Sequence, residues 1–186
     1  MKHVAIISSS VRINRLSHRV ALYLKDHLES SYDITAEVLD LKAYDFPLFD
    51  ERYMLQSDPS EALIDFTGRF VKADGIIIVT PVYNGSFPAS VKNVIDLYLK
   101  EWYHKPVGVC SVTYGKTPPI ATIQQLQTIL LKLGALVAPA LCTVIDTEAQ
   151  YSSEGVATNP ETAAKTVSSM LRELLWLMER ATEKSY

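Results

Sequence analysis

Two stretches of this chain carry residue types that suit chemistry. The first is Pro81-Val82-Tyr83-Asn84-Gly85-Ser86. It follows the apolar run Ile76-Ile77-Ile78-Val79, which reads as a buried strand. A Pro-x-Tyr-Asn-Gly turn there places backbone N–H groups and an aromatic ring at the carboxyl end of a strand, where open parallel sheets bind ligands. The second is Ser8-Ser9-Ser10-Val11-Arg12-Ile13-Asn14-Arg15-Leu16-Ser17, which follows the strand pattern His3–Ile7. Serine hydroxyls and free N–H groups at a helix start bind anions, and an arginine fork adds charge-assisted hydrogen bonds to phosphate oxygens. Each stretch also has an ordinary reading. Pro, Asn and Gly are the usual turn residues, Arg12 and Arg15 suit a solvated loop, and Lys92, Asn93 and Asp96 suit tying down a helix start. The combination carries more weight: both loops follow apolar strands, in an order that one sheet can bring together.

The elements that must position these loops alternate from end to end. After the first loop, Leu16, Val20, Leu24 and Leu28 recur at helical spacing. Ile34–Leu39 reads as a second strand. A loop rich in aromatics, prolines and acids spans Tyr44–Tyr53. Pro59 opens a helix to about Lys72, and Asp74-Gly75 ends it before the third strand. Val91, Ile95 and Leu99 mark one face of a helix running over 91–103. Pro106 opens a fourth strand to Val112, and Thr113–Pro119 is a loop. A helix bearing Ile123, Leu126, Leu130 and Leu133 stops at Gly134, a residue suited to a helix C-terminus. A fifth strand is split between 135–137 and 141–145. Residues 147–158 read as a polar surface loop. Asn159-Pro160-Glu161 starts a last, broadly apolar helix reaching about Ala181. This alternation argues for a parallel sheet covered on both faces.

Composition excludes several classes. The chain has 186 residues, 48% of them hydrophobic, and a net charge of −3. One domain over 1–186 is expected. With no basic run, nucleic acid binding has no electrostatic support. No apolar stretch approaches the ~20 residues needed to cross a bilayer. The chain enters a strand at once with no signal-peptide pattern, so a cytoplasmic location is expected. Cys110 and Cys142 read as small buried side chains in a reducing compartment, and no cysteine or histidine spacing suits a metal.

The pattern P-x-Y-N-x-x-x-P-x-x-x-K-N-x-x-D, carried here by Pro81, Tyr83, Asn84, Pro88, Lys92, Asn93 and Asp96, resembles the NADPH-dependent FMN reductase family of flavodoxin-like proteins. In that family the first loop reads Gly-Ser-x-Arg; Ser10, Arg12, Arg15 and Ser17 match, while Ser9 stands where the family has glycine. At 113–116 many members have a Gly-Gly loop, and this chain has Thr113-Tyr114-Gly115-Lys116. The resemblance implies an α/β flavodoxin-like three-layer sandwich with a five-stranded parallel sheet in the order 2-1-3-4-5. It implies an FMN-dependent NAD(P)H oxidoreductase, with NADPH or NADH as donor and a quinone, azo compound or free flavin as acceptor. FMN would be held by Ser8, Ser10, Arg12, Arg15, Leu16 and Ser17 at the phosphate. Pro81, Val82, Tyr83, Asn84, Gly85 and Ser86, with Thr113, Tyr114 and Gly115, would hold the ring, and backbone N–H groups in Asn84–Ser86 and Tyr114–Gly115 would stabilise its reduced form. Lys116 would favour an anionic partner. No catalytic acid, base or metal is implied, because the cofactor supplies the chemistry. Members are homodimers or dimers of dimers. On that pattern Tyr98, Trp102 and Tyr103 would offer an aromatic interface surface, and Phe49 and Tyr53 would line the partner's pocket. A flavodoxin-like electron carrier is the alternative, although its Thr/Gly-rich phosphate loop is not matched by Ser8–Asn14.

Overall fold

The computed structural model describes residues 1–115 and 119–182. Six strands and seven helices alternate in it: β1 Lys2–Ser8, α1 Ser17–Ser31, β2 Ile34–Asp40, α2 Leu41–Tyr44, α3 Glu61–Lys72, β3 Gly75–Pro81, α4 Ala89–Leu97, β4 Pro106–Val112, α5 Ile120–Lys132, β5 Leu136–Val137, β6 Cys142–Val144, α6 Thr147–Gln150 and α7 Pro160–Thr182. The strands are parallel in the order β2-β1-β3-β4-β5. The fifth position is split as expected: β5 pairs with the start of β4 (Pro106 with Leu136) and β6 with its end (Cys110 with Cys142).

Alternate residues of each central strand enter opposite cores, which is why these strands read as continuous apolar runs. Val4, Ile6, Ile77, Val79 and Cys110 face α1 and α7. Ala5, Ile7, Ile76, Ile78 and Val109 face α3, α4 and α5. Local signals set the ends. Ser60 caps α3 by accepting from Leu63 N–H, so that helix starts just after Pro59 rather than at it. Gly134 follows α5 at φ 78°, with Ala135 N–H donating to Leu130 O. Asn159 caps α7, accepting from Thr162 N–H at 3.0 Å. α7 buries one stripe, Ala163, Val167, Met170, Leu171, Leu174 and Met178, and leaves Trp176 exposed, so it is amphipathic rather than apolar all round.

The expected helix over 91–103 ends early. α4 stops at Leu97, Tyr98 is extended, and a 3-10 turn covers Lys100–Trp102. Leu99, expected on the inner face, is exposed. The break lets both aromatics turn inward. The ring of Phe70 lies 4.9 Å from Tyr98 and 4.7 Å from Trp102. Tyr98 Oη pairs with Thr67 Oγ1 at 2.8 Å, and Trp102 Nε1 donates to Ile95 O at 3.3 Å. Tyr98 and Trp102 are therefore core residues of their own chain, and only Tyr103 remains at the surface. The expected loop at 147–158 contains α6 and the buried Tyr151. The two cysteines are free, buried and adjacent across β4 and β6, with sulfurs 3.3 Å apart. Among the described residues no helix is long and apolar enough to cross a membrane, and no group of side chains has metal-binding geometry.

Candidate active site

The loops after β1, β3 and β4 meet at the carboxyl ends of the central strands. Between them lies a cleft of about 160 Å³ lined by Ser10, Arg12, Arg15, Leu16, Ser17, Pro81, Val82, Tyr83, Thr113 and Tyr114, together with Asn14 and Val112. Sequence reasoning reached the first ten; Asn14 and Val112 are additions supplied by the path of the chain. A wider groove of about 570 Å³ shares Arg12, Arg15 and Tyr114 and continues to His18, Arg19 and Glu148.

The first loop is held from outside the cleft. Ser9, where the family has glycine, is buried; its Oγ donates to Val79 O at 2.9 Å, and its backbone N–H reaches the same oxygen at 3.1 Å. Ser90 Oγ, on α4, donates to Ser9 O. The serine thus pins the turn to β3 without entering the site. Ser8 also lies behind the cleft, its Oγ 2.9 Å from His18 Nδ1. Ser10 Oγ and Tyr83 Oη share a hydrogen bond of 2.7 Å that joins the two loops.

The two arginines differ in their commitments. The Arg15 fork grips both carboxylate oxygens of Asp40, at the end of β2, and donates to Ser10 O at 3.0 Å. Arg12 is exposed, with its guanidinium 5.6 Å from the centre of the Tyr83 ring. Burial pushes the Asp40 carboxyl up, but its bonds to Arg15 and to Lys42 N–H outweigh that and hold it below its ordinary value. His18 is held below its ordinary value by burial and by the charges of Arg15 and Lys42, against the opposing pull of Asp40. It is therefore neutral at pH 7. Asp40 was not anticipated as a site element; the available signal was an acid at the carboxyl end of the strand beside β1.

The anion-binding features are open. No side chain caps the start of α1. Ser17 Oγ, at the first position of that helix, is buried and has no hydrogen-bond partner among the described residues. A buried hydroxyl without a partner costs about 1–3 kcal/mol, so it suits a ligand oxygen. Together with the Arg12 charge, these residues fit a phosphate group such as that of FMN.

The second loop is a two-residue hairpin. Asn84 and Gly85 have φ of 52° and 80°, and Tyr83 and Ser86 exchange both backbone hydrogen bonds, at 2.7 and 3.0 Å. This corrects the expected donor set. Ser86 N–H closes the turn and Gly115 N–H donates to Thr113 Oγ1 at 3.1 Å. The backbone N–H groups of Asn84, Gly85 and Tyr114 have no acceptor among the described residues. Asn84, Gly85, Ser86 and Gly115 stand at the rim and do not line the cleft. Lys116 lies outside the described residues.

Asn93 ties down the aromatic loop after α2: its Oδ1 accepts from Phe49 N–H at 2.6 Å and its Nδ2 donates to Pro47 O at 2.8 Å. Lys92 and Asp96 form an (i, i+4) pair on the same helix. Phe46, Phe49 and Tyr53 pack on their own chain's core, and Leu48, Met54 and Leu55 are the exposed apolar tips of this segment.

Comparison with known proteins shows the family. Residues 1–150 match the family described as NADPH-dependent FMN reductase. An NAD(P)H-dependent FMN reductase of Saccharomyces cerevisiae is 32% identical over 72% of this chain and 76% of its own. An FMN-dependent NADPH-azoreductase of Staphylococcus aureus is 26% identical over 81% and 80% of the two chains. Among solved structures, a flavoenzyme NAD(P)H:acceptor oxidoreductase of Paracoccus denitrificans superposes with a TM-score of 0.78 at 24% identity, covering 96% of this chain and 98% of that one, which shows the shared fold. With the Ser/Arg loop, the Tyr83 hairpin and the strand order all in place, the chain belongs to the NADPH-dependent FMN reductase family.

Proposed function

We propose that this protein is an FMN-dependent NAD(P)H oxidoreductase that passes reducing equivalents to small-molecule acceptors such as quinones, azo compounds or free flavin. One observation carries the site assignment: Ser10, Arg12 and Ser17 converge with Tyr83 and Tyr114 on a single cleft, and Ser17 Oγ is left without a partner there. In this reading Arg12, Ser10, Ser17 and the open start of α1 bind the FMN phosphate. Arg15 shapes the loop through Asp40. Pro81–Tyr83 and Thr113–Tyr114 seat the ring, and the N–H groups of Asn84, Gly85 and Tyr114 face the charge of the reduced cofactor. Bound FMN supplies the two-electron chemistry between nicotinamide and acceptor, and the protein supplies binding, orientation and electrostatics. No side chain is needed as acid or base.

Acceptor class follows from relatives: besides the azoreductase, a quinone reductase of Pseudomonas putida is 30% identical over 60% of each chain. The assembly is a homodimer or a dimer of dimers, supported by the exposed Leu48, Met54 and Leu55. The location is cytoplasmic, in keeping with two buried free thiols, and one domain carries the whole activity. The test is an absorption spectrum of the protein with FMN, followed by anaerobic NADPH. Direct bleaching to the fully reduced form is expected. Bound flavin that NADPH leaves oxidised would make the protein an electron carrier, and failure to bind FMN would remove the reading.

A further inference from the structure

The hairpin that carries two of the free N–H donors is gripped by a residue on a different element. Gln125, on α5, reaches across to it with both ends of its amide. Gln125 Oε1 accepts from Ser86 Oγ at 2.6 Å, and Gln125 Nε2 donates to Gly85 O at 3.4 Å. Within the hairpin the Tyr83–Ser86 pair closes the turn, and Ser86 N–H on Tyr83 O sets the Gly85–Ser86 peptide plane. Its two central residues, Asn84 and Gly85, are exposed, and among the described residues nothing lies within 4 Å of the Cβ position of Gly85. What the turn's own bonds leave unset is where the hairpin as a body sits against the sheet, and that depends on contacts outside it. Among the described residues the one contact to the Gly85 carbonyl is Gln125.

We propose that Gln125 is a positioning residue that sets how strongly the protein prefers reduced over oxidised FMN. The inference rests on the site assignment above. By tying Ser86 Oγ and Gly85 O to α5, Gln125 fixes the hairpin as a body, so that the free Asn84 and Gly85 N–H groups keep one place from which to meet the negative charge of the reduced cofactor. Donors fixed in advance stabilise charge because they need no reorganisation when it develops. Gln125 touches neither cofactor nor substrate in this arrangement; it acts through the turn. A glutamate in its place would keep the acceptor for Ser86 Oγ but turn a second oxygen on Gly85 O, pushing the carbonyl away.

The experiment is a redox titration of FMN-loaded wild type, Gln125→Ala, Gln125→Glu and Gln124→Ala, with FMN dissociation constants measured for each. Both Gln124 and Gln125 are exposed positions of a helix that tolerates alanine, so all variants are expected to fold. For Gln125→Ala the ratio of affinities for reduced over oxidised FMN should fall about fivefold, which for a two-electron couple lowers the midpoint by about 20 mV. Gln125→Glu should lower it further, and Gln124→Ala should leave it unchanged. Ser86→Ala combined with Gln125→Ala should add little to Gln125→Ala alone, because both act on one clamp. Wild-type midpoints in the Gln125 variants, with FMN still bound, would overturn the inference and spare the site assignment. A wild-type protein that does not bind FMN would remove both.

Discussion

Replacing Arg12 with alanine should separate cofactor binding from stability. Among the described residues the Arg12 side chain has one contact of note, its 5.6 Å approach to the Tyr83 ring. An exposed cation–π contact is worth about 0.5–1 kcal/mol, which caps the stability loss. The loop keeps its other ties, because the bonds of residue 12 to Ser10 Oγ and to Lys42 run through its backbone. The phosphate loses more. A hydrogen bond to a charged group contributes about 1.5–3 kcal/mol, so FMN affinity should fall roughly 10- to 150-fold. Riboflavin has the same ring and lacks the phosphate, so its affinity should not change. Quenching of flavin fluorescence on titration with protein reads both constants, and thermal unfolding of the apoprotein reads stability. Arg15→Ala should give the opposite pattern. Its fork is mostly buried against Asp40, with side-chain exposures of 13% and 20%. Losing it strands the carboxylate and should cost about 2–3 kcal/mol, less than the 3–5 of a fully buried pair. An Arg12→Ala protein with wild-type FMN affinity, or one that loses riboflavin as strongly as FMN, would refute the phosphate assignment.

Three further outcomes follow from the same geometry. Ser17→Ala removes a buried hydroxyl with no partner, so the apoprotein should gain up to about 1 kcal/mol while FMN binding weakens; thermal unfolding with and without FMN measures both. Asp40 has its carboxyl held below the ordinary 3.8 in the folded chain. It therefore adds stability that is complete above that value and is lost as pH falls through the folded one. Acid unfolding of Asp40→Asn should accordingly show less loss of stability below about pH 4 than wild type, starting from a lower plateau at neutral pH. Leu48 is 84% exposed, so Leu48→Asp should leave apoprotein stability within about 0.5 kcal/mol in the monomer and shift the assembly toward smaller species in sedimentation.

Much of this fold was legible because its signals are local. The strands are continuous apolar runs, which only a sheet covered on both faces produces. Gly134 and Asn159 end and begin helices by their own conformational and hydrogen-bonding preferences. The outline of the candidate cleft was legible too, since a Ser/Arg loop and a Pro-x-Tyr-Asn-Gly turn each announce themselves and line it together. What failed was decided by distant partners. Leu99 continues the spacing of Val91 and Ile95, so periodicity carries the helix onward. The chain instead leaves the helix at Tyr98, because Phe70, far away in sequence, offers both Tyr98 and Trp102 an aromatic site. Tertiary burial of two large rings outweighs the few tenths of a kcal/mol per residue at stake in helix propensity. The same cause made Tyr98 and Trp102 read as interface when they are core.

The donor groups show the limit most clearly. Five backbone N–H groups suited the ring by position, yet two are taken: Ser86 by its own turn and Gly115 by Thr113. A motif states which groups stand near a ligand but not which are still free, and only free groups bind it. The residues that settle this lie outside the motifs. Asp40 engages Arg15, Ser90 holds Ser9, and Gln125 grips Ser86 and Gly85. Each anchors a loop of the candidate site to a regular element, β2, α4 or α5. Such loops lose less conformational freedom when a ligand arrives, because their ordering cost has been met in folding. The division of labour between the two arginines follows from this. Arg15, tied to Asp40, makes the loop's shape, and Arg12, which has no ion pair among the described residues, is the one proposed for the phosphate. Because family motifs record residue types rather than commitments, that division becomes visible only once Asp40 is placed beside the loop.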